Sequence, residues 1–212
     1  MVFFFVCFSN PEVIIYMGKD KYENEELIKY AWPDRDIWFH VADLSSAHVY
    51  LRLPAPINDY SEIPDEIVQE CAQLTKANSI QGCKKASCGI NFTWARNLKK
   101  TIGMETGAVT FHNHQMVQHI TINKDKDIIK RVMKTKTEDH PNLELQLREH
   151  MEAIQQAESA AIREEMLAKK AAVKAVKKNV EERKAAMAEM EEEGKELMTS
   201  NQDNANLEDD FW

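Results

Sequence analysis

Hydrophobic positions recur along this chain with three different periods, and each period predicts a different element. In Asp36-Ile-Trp-Phe-His-Val41 the odd positions Ile37, Phe39 and Val41 are apolar, and Asp36, Trp38 and His40 alternate with them. In His48-Val-Tyr-Leu-Arg-Leu53 the odd positions Val49, Leu51 and Leu53 are apolar, against His48, Tyr50 and Arg52. Successive strand residues point to opposite sheet faces. Both stretches therefore predict strands, and the short 42–47 connection predicts a hairpin. Shorter apolar runs at 2–8, 13–17, 90–94, 107–111 and 117–122 predict further strands, the first two pairing as a hairpin.

Helical spacing appears at Leu27, Ile28 and Ala31, at Ile67, Val68, Cys71 and Leu74, and at Ile128, Ile129, Val132 and Met133. It predicts helices over 20–31, 64–78 and 125–136, the first stopping before Pro33. Beyond Pro141 the pattern changes again. From 144 to 198 there is no proline, no aromatic residue and a single glycine, Gly194. That predicts a helix roughly 80 Å long. Within it Ile162, Met166, Val173, Val176, Val180, Met187, Met190 and Leu197 fall on 4–3 spacing, a narrow coiled-coil-like seam. Leu147, Met151 and Ile154 form an earlier seam one step out of phase.

These elements predict an α+β domain over residues 1–140, with a mixed or antiparallel sheet and flanking helices. A long charged helix over 141–198 and an acidic, disordered tail over 199–212 follow. Composition supports the division. Trp32, Trp38, Trp94 and every tyrosine precede residue 100, and the only aromatics after Pro141 are Phe211 and Trp212. A segment rich in Ala, Glu and Lys without aromatics builds no compact core of its own.

The net charge of −8 is concentrated at the C-terminal end, where residues 189–212 hold nine acids and one base. The remainder is formally neutral, so the low pI does not argue against a polyanionic partner. Met1–Phe8 is apolar, but it has no basic flank or small-residue cleavage site and is too short to span a bilayer. It is expected as a buried strand. The four scattered cysteines suit reduced thiols, hence a cytoplasmic or nuclear setting. Membrane association is the alternative.

Three groups of residues could carry chemistry. The polar face of the predicted hairpin bears Asp36, Trp38, His40, His48, Tyr50 and Arg52. Trp38 and Tyr50 could stack on bases, while Arg52, His40 and His48 meet phosphate or sugar. The alternative is that this face packs beneath a helix, which would make Trp38 and Tyr50 core and His40 a satisfied histidine. Arg96, Lys99 and Lys100 follow a strand and Trp94, an arrangement suited to phosphate or merely to a solvated loop. The third group lies on the long helix and includes Lys169, Lys170, Lys174, Lys177 and Lys178, which could lie along RNA or simply form a wet face. Asp36, His40 and His48 could form an acid–base set if strand pairing joins them. Cys83, Cys88, His112 and His114 offer four potential metal ligands, but their spacing is not that of a zinc site. No Gly-rich phosphate loop is present. Neither catalysis nor a cofactor is expected.

The segments Met17-Gly-Lys-Asp-Lys-Tyr-Glu-Asn24, Asp36-Ile-Trp-Phe-His40 and Ser45-Ser-Ala-His48 together resemble the signature of the NFACT-R domain. That signature is a Gly-Lys/Arg-x-x-x-x-Asn segment, an Asp-x-Trp-x-His strand and a Gly-Ser-His turn. Phe92-Thr93, Lys99-Lys100 and Gly107–Phe111 also fit it. With the long helix and acidic end, the whole chain is similar to the coiled-coil domain-containing protein 25 family. The resemblance implies RNA binding connected with translation, with ribosomal or transfer RNA or the ribosome as partner, and no established reaction. It adds Lys19, Lys21 and Asn24 to the binding residues. It also carries an alternative, a DNA-binding sensor associated with the plasma membrane. A helical protein partner on the 162–197 seam is a further alternative, which would make the chain a coiled-coil adaptor. Ser45-Ser46-Ala47 departs from the family's glycine-containing turn, so the form of that turn is open.

Overall fold

The computed structural model describes residues 1–208, with side chains described through Lys195. The chain forms two compact units, residues 1–152 and 153–212. The first contains β1 (Val2–Val6), β2 (Ile14–Gly18), α1 (Lys21–Tyr30), β3 (Asp36–Val41), β4 (Val49–Arg52) and α2 (Asp65–Ala77). After these come β5 (Ser87–Trp94), β6 (Leu98–Lys99), β7 (Thr110–Phe111), β8 (Gln118–Asn123), α3 (Lys126–Met133) and β9 (Thr137–Asp139). The long helix α4 (Leu143–Glu208) starts in the first unit and forms the second. The stretch expected to be a disordered tail, 199–212, is helical through Glu208, and its last four residues lie outside the described residues.

Seven strands form one sheet in the order β8-β5-β3-β4-β2-β1-β9, every pairing antiparallel. The fold class is thus α+β with an antiparallel sheet and a long C-terminal helix. β3 and β4 pair with Trp38 opposite Tyr50 and Asp36 opposite Arg52. β6 and β7 make a separate two-stranded ladder.

Both faces of the sheet are covered at its central strands. On one, Phe5, Ile15, Ile37, Phe39, Leu51 and Ile90 meet Ile67, Cys71 and Leu74 of α2 and Val132 of α3. On the other, Val2, Tyr16, Trp38 and Tyr50 meet Leu27 of α1, Leu98 of β6 and Leu143 of α4. The hairpin face carrying Trp38 and Tyr50 is therefore a second core. Trp38 is 3% exposed and Tyr50 is inaccessible, so neither can stack on a base. That corrects the expectation for those two residues. The physical reason is α1, which Asp20 caps through the Tyr22 and Glu23 amides and whose Leu27 lies over the sheet.

Asp36 and Arg52 are likewise structural. The inaccessible Asp36 carboxylate accepts from Arg52 Nε and Nη2, both at 2.8 Å, from the Tyr16 hydroxyl at 2.7 Å and from the Trp32 amide at 2.6 Å. Arg52 also lies 3.9 Å from the centre of the Trp32 ring, and His150 of α4 stacks on that ring at 3.7 Å. The indole is sandwiched between them. His150 Nε2 is 2.7 Å from Asp34 Oδ1, which anchors the start of α4.

His48 belongs to the same core. Trp38 Nε1 donates to its Nδ1 at 2.8 Å. Burial, reinforced by neighbouring His40, lowers its pKa from 6.5 to about 3, and a hydrogen bond to the Gly107 backbone offsets part of that shift. His48 is a neutral packing element rather than a phosphate contact.

Two outcomes are expected. Asp36→Ala, which strands Arg52, should lose about 3–5 kcal/mol in urea denaturation, and Asp36→Leu combined with Arg52→Met should recover much of it. His48 takes up a proton near pH 6.5 when unfolded but only near 3 when folded. The unfolded state thus binds more protons in that window, and stability falls as pH drops below 6.5. By pH 5 the loss from this group is about 2 kcal/mol. His48→Gln should flatten the wild-type decline between pH 7.5 and 5 by about that amount.

Candidate nucleic-acid interface

With both faces of the central strands packed, what the signature segments leave open is a cavity at one end of the strands. β2 ends there at Gly18, β3 ends near His40, and β4 begins after Ser45–His48. The cavity measures about 680 Å³. Its walls include Gly18, Lys19, Asp20, Lys21 and Asn24 from the first signature segment, His40 from the second, and Ser45, Ser46, Ala47 and His48 from the third. Phe3 of β1, Met17 of β2, Asn78 and Ile80 just past α2, and the irregular segment Glu105–Ala108 complete it.

Local geometry explains the glycine at 18 and the serine at 46. A Cβ on Gly18 would sit 3.0 Å from the Asn24 backbone nitrogen and 3.1 Å from Glu23 Cβ, so any larger residue would force the turn into α1 to give by a few tenths of an ångström. Ser46 Oγ accepts from the Val41 amide and donates to the Ala47 carbonyl, tying the β3–β4 connection together. The only non-glycine residue with positive φ is Asp43, at 58°, among the described residues. The segment Ser45–Ala47 thus needs no glycine, and the turn closes without the one that the family's pattern carries there.

Lys19 and Lys21 are exposed on the rim, beside the N-terminus of α1, whose dipole favours an anion. Asp20 and Glu105 share the wall, so the cavity is mixed in charge rather than uniformly basic. His40 stacks on Trp38 with rings 4° from parallel and 5.4 Å apart. Its Nδ1 donates to the Val41 carbonyl at 2.8 Å, and burial lowers its pKa, so the ring is neutral near pH 7 with its Nε2 lone pair unused by that bond. Asn24 is 5% exposed, and neither of its side-chain amide atoms has a hydrogen-bond partner. Leaving such groups unpaired costs about 1–3 kcal/mol each.

The other expected contacts are dispersed. Lys100 donates to Glu25 at 2.6 Å and to the Glu105 and Ala108 carbonyls at 2.8 and 2.9 Å, clamping the cavity segment to α1. Gly107, at φ +86°, completes that clamp by donating its amide to Glu25. Lys100 is thus a fastener for the wall rather than a phosphate contact. Lys99 and Arg96 are exposed but do not line the cavity, and Arg96 lies over Trp94. Lys169, Lys170, Lys174, Lys177 and Lys178 are exposed on the second unit, with Lys169 paired to Glu165 and Lys178 to Glu182. Asp36 faces Arg52 and Tyr16, and no hydrogen bond joins it to His40 or His48, whose rings are 5.0 Å apart. No three His, Cys, Asp or Glu side chains converge as metal ligands among the described residues. Among those residues no helix is long and apolar enough to cross a membrane. The roles of Asn78, Ile80, Glu105 and Thr106 had no signal in the sequence, whereas Gly107 and Ala108 belong to the Gly107–Phe111 stretch that fits the signature.

Residues 1–113 match the family described as the NFACT protein RNA binding domain. Coiled-coil domain-containing protein 25 of Bos taurus is 44% identical over 223 aligned positions that span both chains completely. The coiled-coil domain-containing protein 25 homolog of Dictyostelium discoideum is 55% identical over 137 residues, 64% of this chain and 65% of that protein. The Rqc2 homolog RqcH of Bacillus subtilis is 26% identical over 127 residues, 60% of this chain but only 20% of its own length. With a match to more than half of the chain and a relative alike from end to end, the chain belongs to the coiled-coil domain-containing protein 25 family and carries an NFACT RNA-binding domain.

Proposed function

We propose that this chain is a non-catalytic RNA-binding factor working on or near the ribosome, and that the cavity at the strand ends is where it holds RNA. The observation that carries the reading is convergence. Three signature segments, at 18–24, 36–40 and 45–48, are separated in sequence and contribute side chains to a single cavity. The second also supplies Asp36, which fixes the strands that frame it.

The cavity is too small for a duplex and falls within the range of about 300–1,000 Å³ typical of single-ligand sites. An unpaired RNA segment suits it, with the strand passing Lys19 and Lys21 and one residue turned inward. Recognition of single-stranded RNA ordinarily works on splayed-out bases. The domain's description as RNA-binding and the distant likeness to an Rqc2 homolog support the partner class. The lysines between 169 and 178 serve as a second, sequence-independent contact with the RNA backbone.

Lys19→Ala with Lys21→Ala should weaken binding of a single-stranded oligonucleotide severalfold. The salt dependence of log K should fall by about 1.4, at about 0.7 for each phosphate of a single strand that a lysine no longer neutralises. Anisotropy titrations at several salt concentrations measure both. An unchanged slope would remove these lysines from the interface.

A further inference from the structure

We propose that the cavity reads a single unpaired base through its exocyclic amine, using the Asn24 amide and the His40 Nε2 atom as hydrogen-bonding partners; this rests on the RNA reading above. Two features point there. Asn24 is buried to 5% exposure on the cavity wall, with Oδ1 and Nδ2 both unpartnered. Its neighbours on that wall are already committed. His48 Nδ1 is taken by Trp38, and the Ser46 hydroxyl is taken by the backbone at Val41 and Ala47. A buried amide with both ends open has one donor and one acceptor ready for the edge of a planar partner, and a nucleobase supplies both.

Asn24 alone cannot choose among bases. Turning its amide by half a revolution exchanges donor and acceptor, and every base has some edge that matches one orientation. His40 removes that freedom. Its Nδ1 hydrogen is spent on the Val41 carbonyl, so the neutral ring can only accept at Nε2. The wall therefore combines two acceptors with one donor. A base with an exocyclic amine meets this array. Adenine and cytosine offer two amine hydrogens beside a ring nitrogen that accepts, and guanine offers its amine and ring N–H beside a carbonyl. Uracil has only one donor on its pairing edge and would leave an acceptor unmatched. Ile80, 77% exposed at the same cavity, provides an apolar surface for the face of the base.

Lys19 and Lys21 at the rim are then sequence-blind, while Asn24 and His40 discriminate. This separates affinity from specificity in a way that substitution can resolve.

The experiment measures affinity of the full chain for three short single strands of equal length: oligoadenylate, oligo(purine riboside), which lacks only the amine, and oligouridylate. The wild type is expected to prefer oligoadenylate over the purine strand about tenfold or more. Asn24→Leu should erase that preference by weakening oligoadenylate most; the purine strand, which keeps the ring nitrogen that the Asn24 amide donates to, should lose less, and the salt slope, which belongs to Lys19 and Lys21, should not change. The variant should also unfold at the same or a higher temperature, because it removes two unpaired buried atoms. If Asn24→Leu fails to fold, His40→Phe takes its place, with the same loss of preference expected. A wild type that binds the adenine and purine strands equally would overturn base reading while sparing RNA binding. A wild type that binds none of the strands would overturn the RNA reading itself.

Discussion

A single buried carboxylate organises the first unit. Asp36 is inaccessible to water, yet it is saturated by the Arg52 guanidinium, the Tyr16 hydroxyl and the Trp32 amide. A buried charge is tolerable only when paired and fully hydrogen-bonded, so the carboxylate dictates where three other segments must lie. It holds β3 against β4, reaches β2 through Tyr16, and positions Trp32, on whose ring His150 stacks. The strand that starts at Asp36 passes Trp38 through the core and brings His40 to the cavity. The Asp-x-Trp-x-His spacing is thus a support, a packing residue and a site residue in successive turns of one pleat.

The division of labour follows from that frame. Trp38, Tyr50 and His48 make one face of the sheet a core, and α1 covers it. Of the signature segments, it is the parts at the strand ends that stay open. There the helix N-terminus and two lysines favour an anion, and an unpaired amide and a neutral imidazole offer hydrogen bonds. The Lys100–Glu25 clamp keeps the opposite wall in place without consuming either. Such preorganisation reduces what binding must spend on ordering the site.

Much of this was legible in the sequence. The period-2 stretches gave β3, β4 and their hairpin, helical spacing gave α1, α2 and α3, and the absence of proline after Pro141 gave α4. The antiparallel sheet agrees with the expected α+β class. The use of the hairpin's second face was not legible in the same way. Polar atoms on Asp36, His48, Tyr50 and Arg52 suggest an open surface, yet the three consecutive large side chains Ile37, Trp38 and Phe39 are a sign of burial on both faces. Strand order and the convergence of Gly18–Asn24, His40 and Ser45–His48 depend on long-range pairing, which local periodicity does not encode. The two-residue strand β6 and the short β9 were too brief to leave a pattern, and the run at 107–111 marked a strand of which only Thr110–Phe111 is paired as β7.

The family signature named most of the cavity's lining without showing that it was a cavity, and the structure turns those spaced residues into one location. Photocrosslinking of a single-stranded RNA to the full chain, followed by mass spectrometry of the attached peptides, tests that location most directly. Attachment is expected within residues 18–24, 40–48, 78–80 and 105–108. Attachment confined to residues 153–195, or to the outer edges of the sheet, would contradict it.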